Sequence, residues 1–166
     1  RAKLAARLGS SKNRYIVMRH GEGEHNVANR INGNPKDLDK YPLTFKGRAQ
    51  AEKAAKAMHK EKIDLIVTSD FLRTVETAEI VAGAGKIKIP IVKDRRLREV
   101  NTGIFDGGNP EKYGAFFSST LERFTKCPPE GETLSDIVTR TYGVISDLEK
   151  EHKEKTILIV THEYPA

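Results

Sequence analysis

Internal disulfides are excluded at the outset, because the 166-residue chain holds a single cysteine, Cys127. A lone thiol is at home in a reducing compartment, so cytoplasmic localisation is the expectation. Long apolar runs are missing as well: none approaches the roughly 18 residues of a membrane span, so no membrane partner is expected. The first residues given lack the charged-then-apolar layout of a secretion signal. Acidic residues are missing from positions 1–14, which carry five Lys or Arg and a weak helical stripe of Leu4, Ala5 and Leu8. Aromatics interleaved with cations, the stacking device of single-strand nucleic-acid binders, are missing there too. The stretch reads as a solvated basic segment, and nucleic acid is a conceivable partner only through it.

What remains is a charged chain with enough apolar material for one sizeable core. Hydrophobic residues make up 37%, with mean hydropathy −0.55. A net charge of +6 and a pI near 9.4 favour anionic partners without choosing among them. The expected organisation is the basic segment 1–14 followed by one domain over 15–166. The chain opens on Arg and stops soon after an expected strand, which suggests a domain excised from a larger protein and truncated at its C-terminus.

Hydrophobic patterning gives the element order. Tyr15-Ile-Val-Met reads as a short buried strand that breaks into Arg19-His20-Gly21. Residues 32–42 are polar and turn-rich, a surface loop near the Arg19–His20 end of the sheet. Residues 45–62 carry Ala51, Ala54, Ala55 and Met58 on one helical face, with His59 as a surface residue. Residues 63–69 form a second buried strand. A helix follows, with inner stripe Phe71, Val75, Ala78 and Ala82, capped by Ser69 or Asp70 and ended by Gly83 and Gly85. A third strand is expected over 86–92, then a loop over 100–108 with Phe105 packed beneath it. Residues 110–126 form an aromatic excursion. Thr133 and Asp136 open a helix with stripe Leu134, Ile137, Val138, Thr141, Ile145 and Leu148, and residues 156–161 give the last strand. Strands apolar on both faces, alternating with helices, imply an α/β fold: a mainly parallel central sheet flanked by helices on both faces.

In such sheets working groups gather beyond the carboxyl ends of the strands. Arg19 and His20, Ser69 with Arg73 shortly after, Glu99 and His162 all belong there. Arg73 sits in the first turn of a helix, where the dipole disfavours a cation unless an anion binds beside it. Two imidazoles, two guanidiniums and one carboxyl group at one end of a sheet suit a phosphate ester. A neutral His can attack phosphorus, a carboxylic acid can protonate the departing alkoxide, and Arg forks hold the oxygens. Rival chemistries fit less well. Gly83-Ala84-Gly85-Lys86 ends in Ile87 where a P-loop needs Ser or Thr, and Gly21-x-Gly23-x-x-Asn26 misses the third glycine of a dinucleotide fingerprint. Cys127 has no Arg six residues on, which excludes a cysteine-phosphatase loop. His20, His25, Glu22 and Glu24 are not expected on one helical face, and two arginines would repel a metal ion.

These motifs, taken in order, resemble the histidine phosphatase superfamily, the phosphoglycerate mutase-like fold. Arg19-His20-Gly21-Glu22 with Asn26 six residues after the histidine looks like its opening motif. Pro42-Leu43-Thr44 with Gly47 is similar to its PLT-x-x-G segment. Ser69-Asp70-Phe71-Leu72-Arg73 through Thr77-Ala78 is similar to S-x-L-x-R-x-x-x-T-A, and Leu97-Arg98-Glu99 with Gly103 to L-x-E…G. Residues 129–133 resemble the PGGES-like turn, and Val160-Thr161-His162 the closing V-[ST]-H. The resemblance implies that His20 is phosphorylated and that Glu99 donates the proton. It implies that Arg19, Arg73 and His162 hold the phosphoryl group and that Asn26 shapes the pocket. It therefore casts His20, Glu99 and His162 as catalytic and Arg19, Asn26, Arg73 and His162 as phosphate-binding, with no metal and no cofactor. Three departures stand out: Gly23 replaces the usual Ser or Thr, Glu163 the usual Gly, and the chain stops without the helix and strand that normally follow.

The resulting expectation is a metal-independent phosphomonoester hydrolase, a histidine acid-type phosphatase acting on a phosphorylated small molecule. The alternatives are a mutase, for which residues 100–128 show no long lid, and a catalytically weak phosphate-binding domain of a larger protein.

Overall fold

The computed structural model describes residues 11–84 and 88–166. The helical stripe at Leu4, Ala5 and Leu8 therefore lies outside the described residues, as do Gly85, Lys86 and Ile87. Among the described residues, four strands and five α-helices form; the strands, β1 (Arg14–Arg19), β2 (Leu65–Thr68), β3 (Ile91–Lys93) and β4 (Thr156–Thr161), make one sheet. Their order is β1-β4-β2-β3, and every pairing is parallel. The helices are α1 (Glu24–Val27), α2 (Phe45–Ala57), α3 (Leu72–Gly83), α4 (Pro110–Ala115) and α5 (Leu134–Glu151).

Strand alternation divides the core into two layers. Leu65, Val67, Ile157 and Ile159 face one way and pack with Leu97, Val144 and Leu148 beneath α5. Ile66, Leu158 and Val160 face the other way, against Ala55 of α2 and Ala78 and Val81 of α3. Small alanines let those two helices approach closely. The expected parallel sheet with helices on both faces is what the chain forms.

Register lines up the strand ends. Met18 pairs with Val160 and Arg19 with Thr161, while Thr68 also pairs with Val160. The ladder finishes with His20 N–H donating to the Thr161 carbonyl at 3.0 Å and Ser69 N–H to the Val160 carbonyl at 3.1 Å. His20, Ser69 and His162 thus leave the sheet side by side.

Several local expectations are corrected. The helix expected over 45–62 ends at Ala57; Met58 caps it, and Lys62 takes a left-handed φ of 47° that turns Ile63 back to the core. The strand expected from residue 86 starts at Ile91. Pro90 has no N–H for a ladder and contributes only its carbonyl, which accepts from Ile66. The N-cap of α3 is Phe71, with no side-chain cap. Ser69 Oγ accepts from Phe71 N–H at 3.4 Å, Asp70 pairs with Arg98 instead, and the Leu38 carbonyl takes the Leu72 N–H at 3.0 Å. Within α5 the Thr133–Asp136 capping box forms, but Val138 is exposed and Val144 is a core residue. A one-turn helix, α1, follows Gly23 where no helix was expected.

Candidate active site

The turn after β1 is built by backbone approach. Gly21 and Glu22 run so close to Gly47 of α2 that a Cβ on Gly47 would stand 2.0 Å from the Glu22 carbonyl oxygen. Residues 42–44 clamp the same turn: Glu24 N–H donates to the Pro42 carbonyl and Thr44 N–H to the Glu22 carbonyl, at 3.0 and 2.9 Å. Thr77 of α3 secures the other side, accepting from Gly21 N–H at 3.2 Å and donating to the Arg73 carbonyl at 2.7 Å. The motif spacings read from the sequence are thus the two walls of one turn.

Arg73 lies at its centre and is 1% exposed. Its Nε donates to His20 Nε2 at 3.1 Å, and one Nη donates to Asn32 Oδ1 at 2.5 Å. The other Nη reaches the Asn32 carbonyl at 2.9 Å and His162 Nδ1 at 3.0 Å. Guanidinium cannot accept, so these contacts fix both imidazole tautomers. His20 carries its proton on Nδ1, which donates to the Gly21 carbonyl at 2.6 Å. His162 carries its proton on Nε2, which donates to Ser69 Oγ at 2.9 Å.

Charge follows from burial. Burial first, then the adjacent Arg73, pushes His20 and His162 well below the usual histidine range, so both rings are neutral. Arg73 itself is lowered to about 10 by burial and stays cationic at neutral pH. Its side-chain partners are all uncharged, which is an unusual way to hold a buried cation unless an anion joins it.

Glu99 follows the short 3-10 turn Arg95–Leu97 and lies partly buried at the mouth. Its carboxylate accepts from Val100 N–H at 2.9 Å, Glu163 N–H at 3.1 Å and Tyr164 N–H at 3.3 Å. Burial raises its pKa despite those donors and despite Arg73. Arg19 is exposed and pairs with Glu163 at 3.0 Å. A pair this exposed contributes at most about 1 kcal/mol, so a phosphate can displace it. Asn26 is exposed too; its Oδ1 accepts from Gly23 N–H at 2.9 Å and caps α1. The structure therefore brings His20, Arg73 and His162 into contact, sets Glu99 beside them through residues 163–164, and leaves Arg19 and Asn26 at the rim.

Asn32 is the residue the sequence reading missed. It is buried in a polar loop and its role depends on a partner 41 positions away, so no local signal marks it. The aromatic excursion, a candidate pocket lining, packs on itself: Phe105, Tyr113, Phe116 and Phe117 form edge-on and tilted contacts, and the Arg123 guanidinium lies over Tyr113, Phe117 and Tyr164. A cleft of about 360 Å³ opens beside Glu99, lined also by Gly33, Arg95, Arg98, Asn101 and Arg140. A larger groove, about 620 Å³, lies at the amino end of the strands among Ala55, Met58, Ile63 and Val81, away from these groups. Among the described residues no three His, Cys, Asp or Glu side chains cluster to hold a metal ion. No described helix is long and apolar enough to cross a membrane.

The chain is similar to proteins of known sequence and structure. It is 34% identical over 157 residues to phosphoglycerate mutase-like protein 4 of Arabidopsis thaliana, covering 89% of this chain and 65% of that protein. It is 29% identical over 165 residues to the metal-independent phosphoserine phosphatase of the same plant, covering 94% and 66%. The chain thus spans about two thirds of the length of these curated relatives. Among solved structures, Bacillus stearothermophilus YhfR superposes with a TM-score of 0.80 at 32% identity, covering 92% of this chain and 75% of that one. The family model matches residues 15–165, from the strand that delivers His20 past His162, and the chain belongs to the histidine phosphatase superfamily (branch 1).

Proposed function

We propose that this domain hydrolyses phosphomonoesters of small molecules through a phosphohistidine on His20. One observation carries the reading: a buried, charged Arg73 bonded only to neutral acceptors, one of them the lone pair of His20 Nε2. A phosphoryl group supplies the missing negative charge and takes over the guanidinium, which frees Nε2 to attack phosphorus.

In the first step the P–O(alkyl) bond breaks as the N–P bond forms, and Glu99 gives its proton to the departing alkoxide. The raised pKa of Glu99 keeps that proton available above the usual carboxylic range. The Nδ1–H contact to the Gly21 carbonyl holds the ring in the attacking tautomer and supports the positive charge that develops on it. Arg73 and the rim cation Arg19 stabilise the equatorial oxygens. In the second step Glu99, now ionised, takes a proton from water as that water displaces phosphate from His20. The acid-type assignment enters only through this requirement for a protonated Glu99.

The cleft beside Glu99 is where the alcohol part of the substrate is proposed to sit. Among the described residues no long lid covers it: residues 110–126 form compact helical turns anchored through Arg123 and Tyr164. An uncovered cleft would let the product leave before phosphoryl return, which supports hydrolysis over the mutase reaction.

The test is hydrolysis of p-nitrophenyl phosphate in EDTA by the parent chain and His20→Ala. Nitrophenol release that survives EDTA and disappears in the variant is expected. No turnover by a folded parent contradicts the proposal.

A further inference from the structure

We infer that His25 is a substrate-contacting residue of this site, its Nδ1 donating a hydrogen bond to an oxygen of the phosphoryl group held by Arg73. The inference rests on the phosphohistidine reading above. His25 is 7% exposed, yet its Nδ1 has no hydrogen-bond partner. Buried polar atoms are paired in the great majority of cases, so an orphan beside a catalytic centre points to a missing ligand. The ring lies 5.6 Å from that of His20 and 5.9 Å from that of Tyr41, centroid to centroid.

Gly23 supplies the second observation. A Cβ on Gly23 would stand 2.8 Å from His25 Nδ1, 2.9 Å from its Cε1 and 3.3 Å from Arg73 Cδ. The imidazole thus occupies the space that a side chain at position 23 would fill, against the stem of the phosphate-holding arginine. Where a Ser or Thr would present a hydroxyl, this chain presents a ring nitrogen. Glycine at 23 and the ring position of histidine at 25 belong together: a side chain at 23 would push the imidazole out of the place it now holds.

Charge is compatible with that role. Burial, then Arg73 and Arg19, hold His25 down to about 3, so the ring is neutral and adds no repelling cation. A neutral imidazole has one N–H to give, and a phosphoryl oxygen facing Nδ1 selects the tautomer that places it there.

The test compares inorganic phosphate affinity and p-nitrophenyl phosphate turnover in the parent, His25→Ala, Gly23→Ser/His25→Ala and Gly23→Ala/His25→Ala. His25→Ala is expected to weaken phosphate binding roughly tenfold to a hundredfold, the range for a hydrogen bond to a charged group. The Ser double variant restores most of the loss, whereas the Ala double variant refills the volume without a donor and does not. Phosphate binding by His25→Ala as tight as the parent's, or equal recovery in both double variants, overturns the inference and leaves the phosphatase reading standing. A parent that neither binds phosphate nor turns over overturns both. Should His25→Ala fail to fold, the ¹⁵N resonance of His25 Nδ1 in the parent decides. A shift on adding phosphate supports the contact, and none refutes it.

Discussion

Arg73 owes its position to Asn32, which accepts from both terminal nitrogens of the guanidinium through its side chain and its backbone. Neutrality at Asn32 matters as much as geometry. An amide holds the fork in place without cancelling the charge that phosphate requires, whereas a carboxylate would act as a resident counter-ion. Asn32→Asp is therefore expected to fold, since it offers Arg73 a stronger partner, but to raise KM and weaken phosphate binding by about tenfold or more. Steady-state kinetics with phosphate as product inhibitor check this; parent-like KM and inhibition would contradict it. Residue-level legibility was uneven for a physical reason. His20, Arg73 and His162 stand at ends of regular elements, where hydrophobic runs give way to polar residues, so patterning places them. Asn32 acts through space on a partner 41 positions away from an irregular segment, where its letter reads as turn chemistry, and His25 sits in a one-turn helix too short for its sequence to show which way the ring faces.

At the scale of elements, α5 shows how far local signals reach. The Thr133–Asp136 capping box and the apolar stripe fix its start and inner face, and both form. Gly143 inside it meets only Arg96 Nη1, at 3.4 Å from where a Cβ would stand, an ordinary contact with a flexible side chain. Gly143→Ala is expected to stabilise the domain by about 0.5–1 kcal/mol and raise Tm by a few degrees, with kinetics unchanged. Calorimetry checks it; a lower Tm would mean that Arg96, which bridges Asp94 and Asp147, cannot yield. At the start of α3 a tertiary contact replaced the local cap. Asp70 left the cap of α3 for Arg98, and the Leu38 carbonyl took over the helix N–H. Such substitutions are invisible until the chain has folded.

The whole molecule carries a pH signature. His20, His25 and His162 are buried and neutral, with pKa values below the usual one. The unfolded chain binds their protons near pH 6.5 and the folded chain does not, so stability falls as pH drops below that value. Each imidazole contributes about 1.4 kcal/mol per pH unit to the fall. Glu99 and Asp106 act in the opposite sense, because burial raises their pKa and the folded state takes up their protons first. Three imidazoles against two carboxyl groups leave a net loss of stability as pH falls from about 6.5 to about 5, reduced by whatever part of the Glu99 and Asp106 proton uptake falls in that window. Urea unfolding at those two pH values tests it, and equal midpoints would refute it. The parallel sheet and both core layers follow from strand patterning, and the order of motifs along the chain follows from the turn they enclose.

The proposed mechanism requires a covalent bond between His20 and phosphorus, and trapping that bond tests it first. Acid-labile, alkali-stable phosphoryl label on His20, found by rapid quench from p-nitrophenyl phosphate and missing in His20→Ala, is the expected result. Accumulation is expected to rise in Glu99→Gln with activated substrates, because water then lacks its base. Turnover by the parent with no label on His20 at any quench time, or label on another residue, would contradict the mechanism.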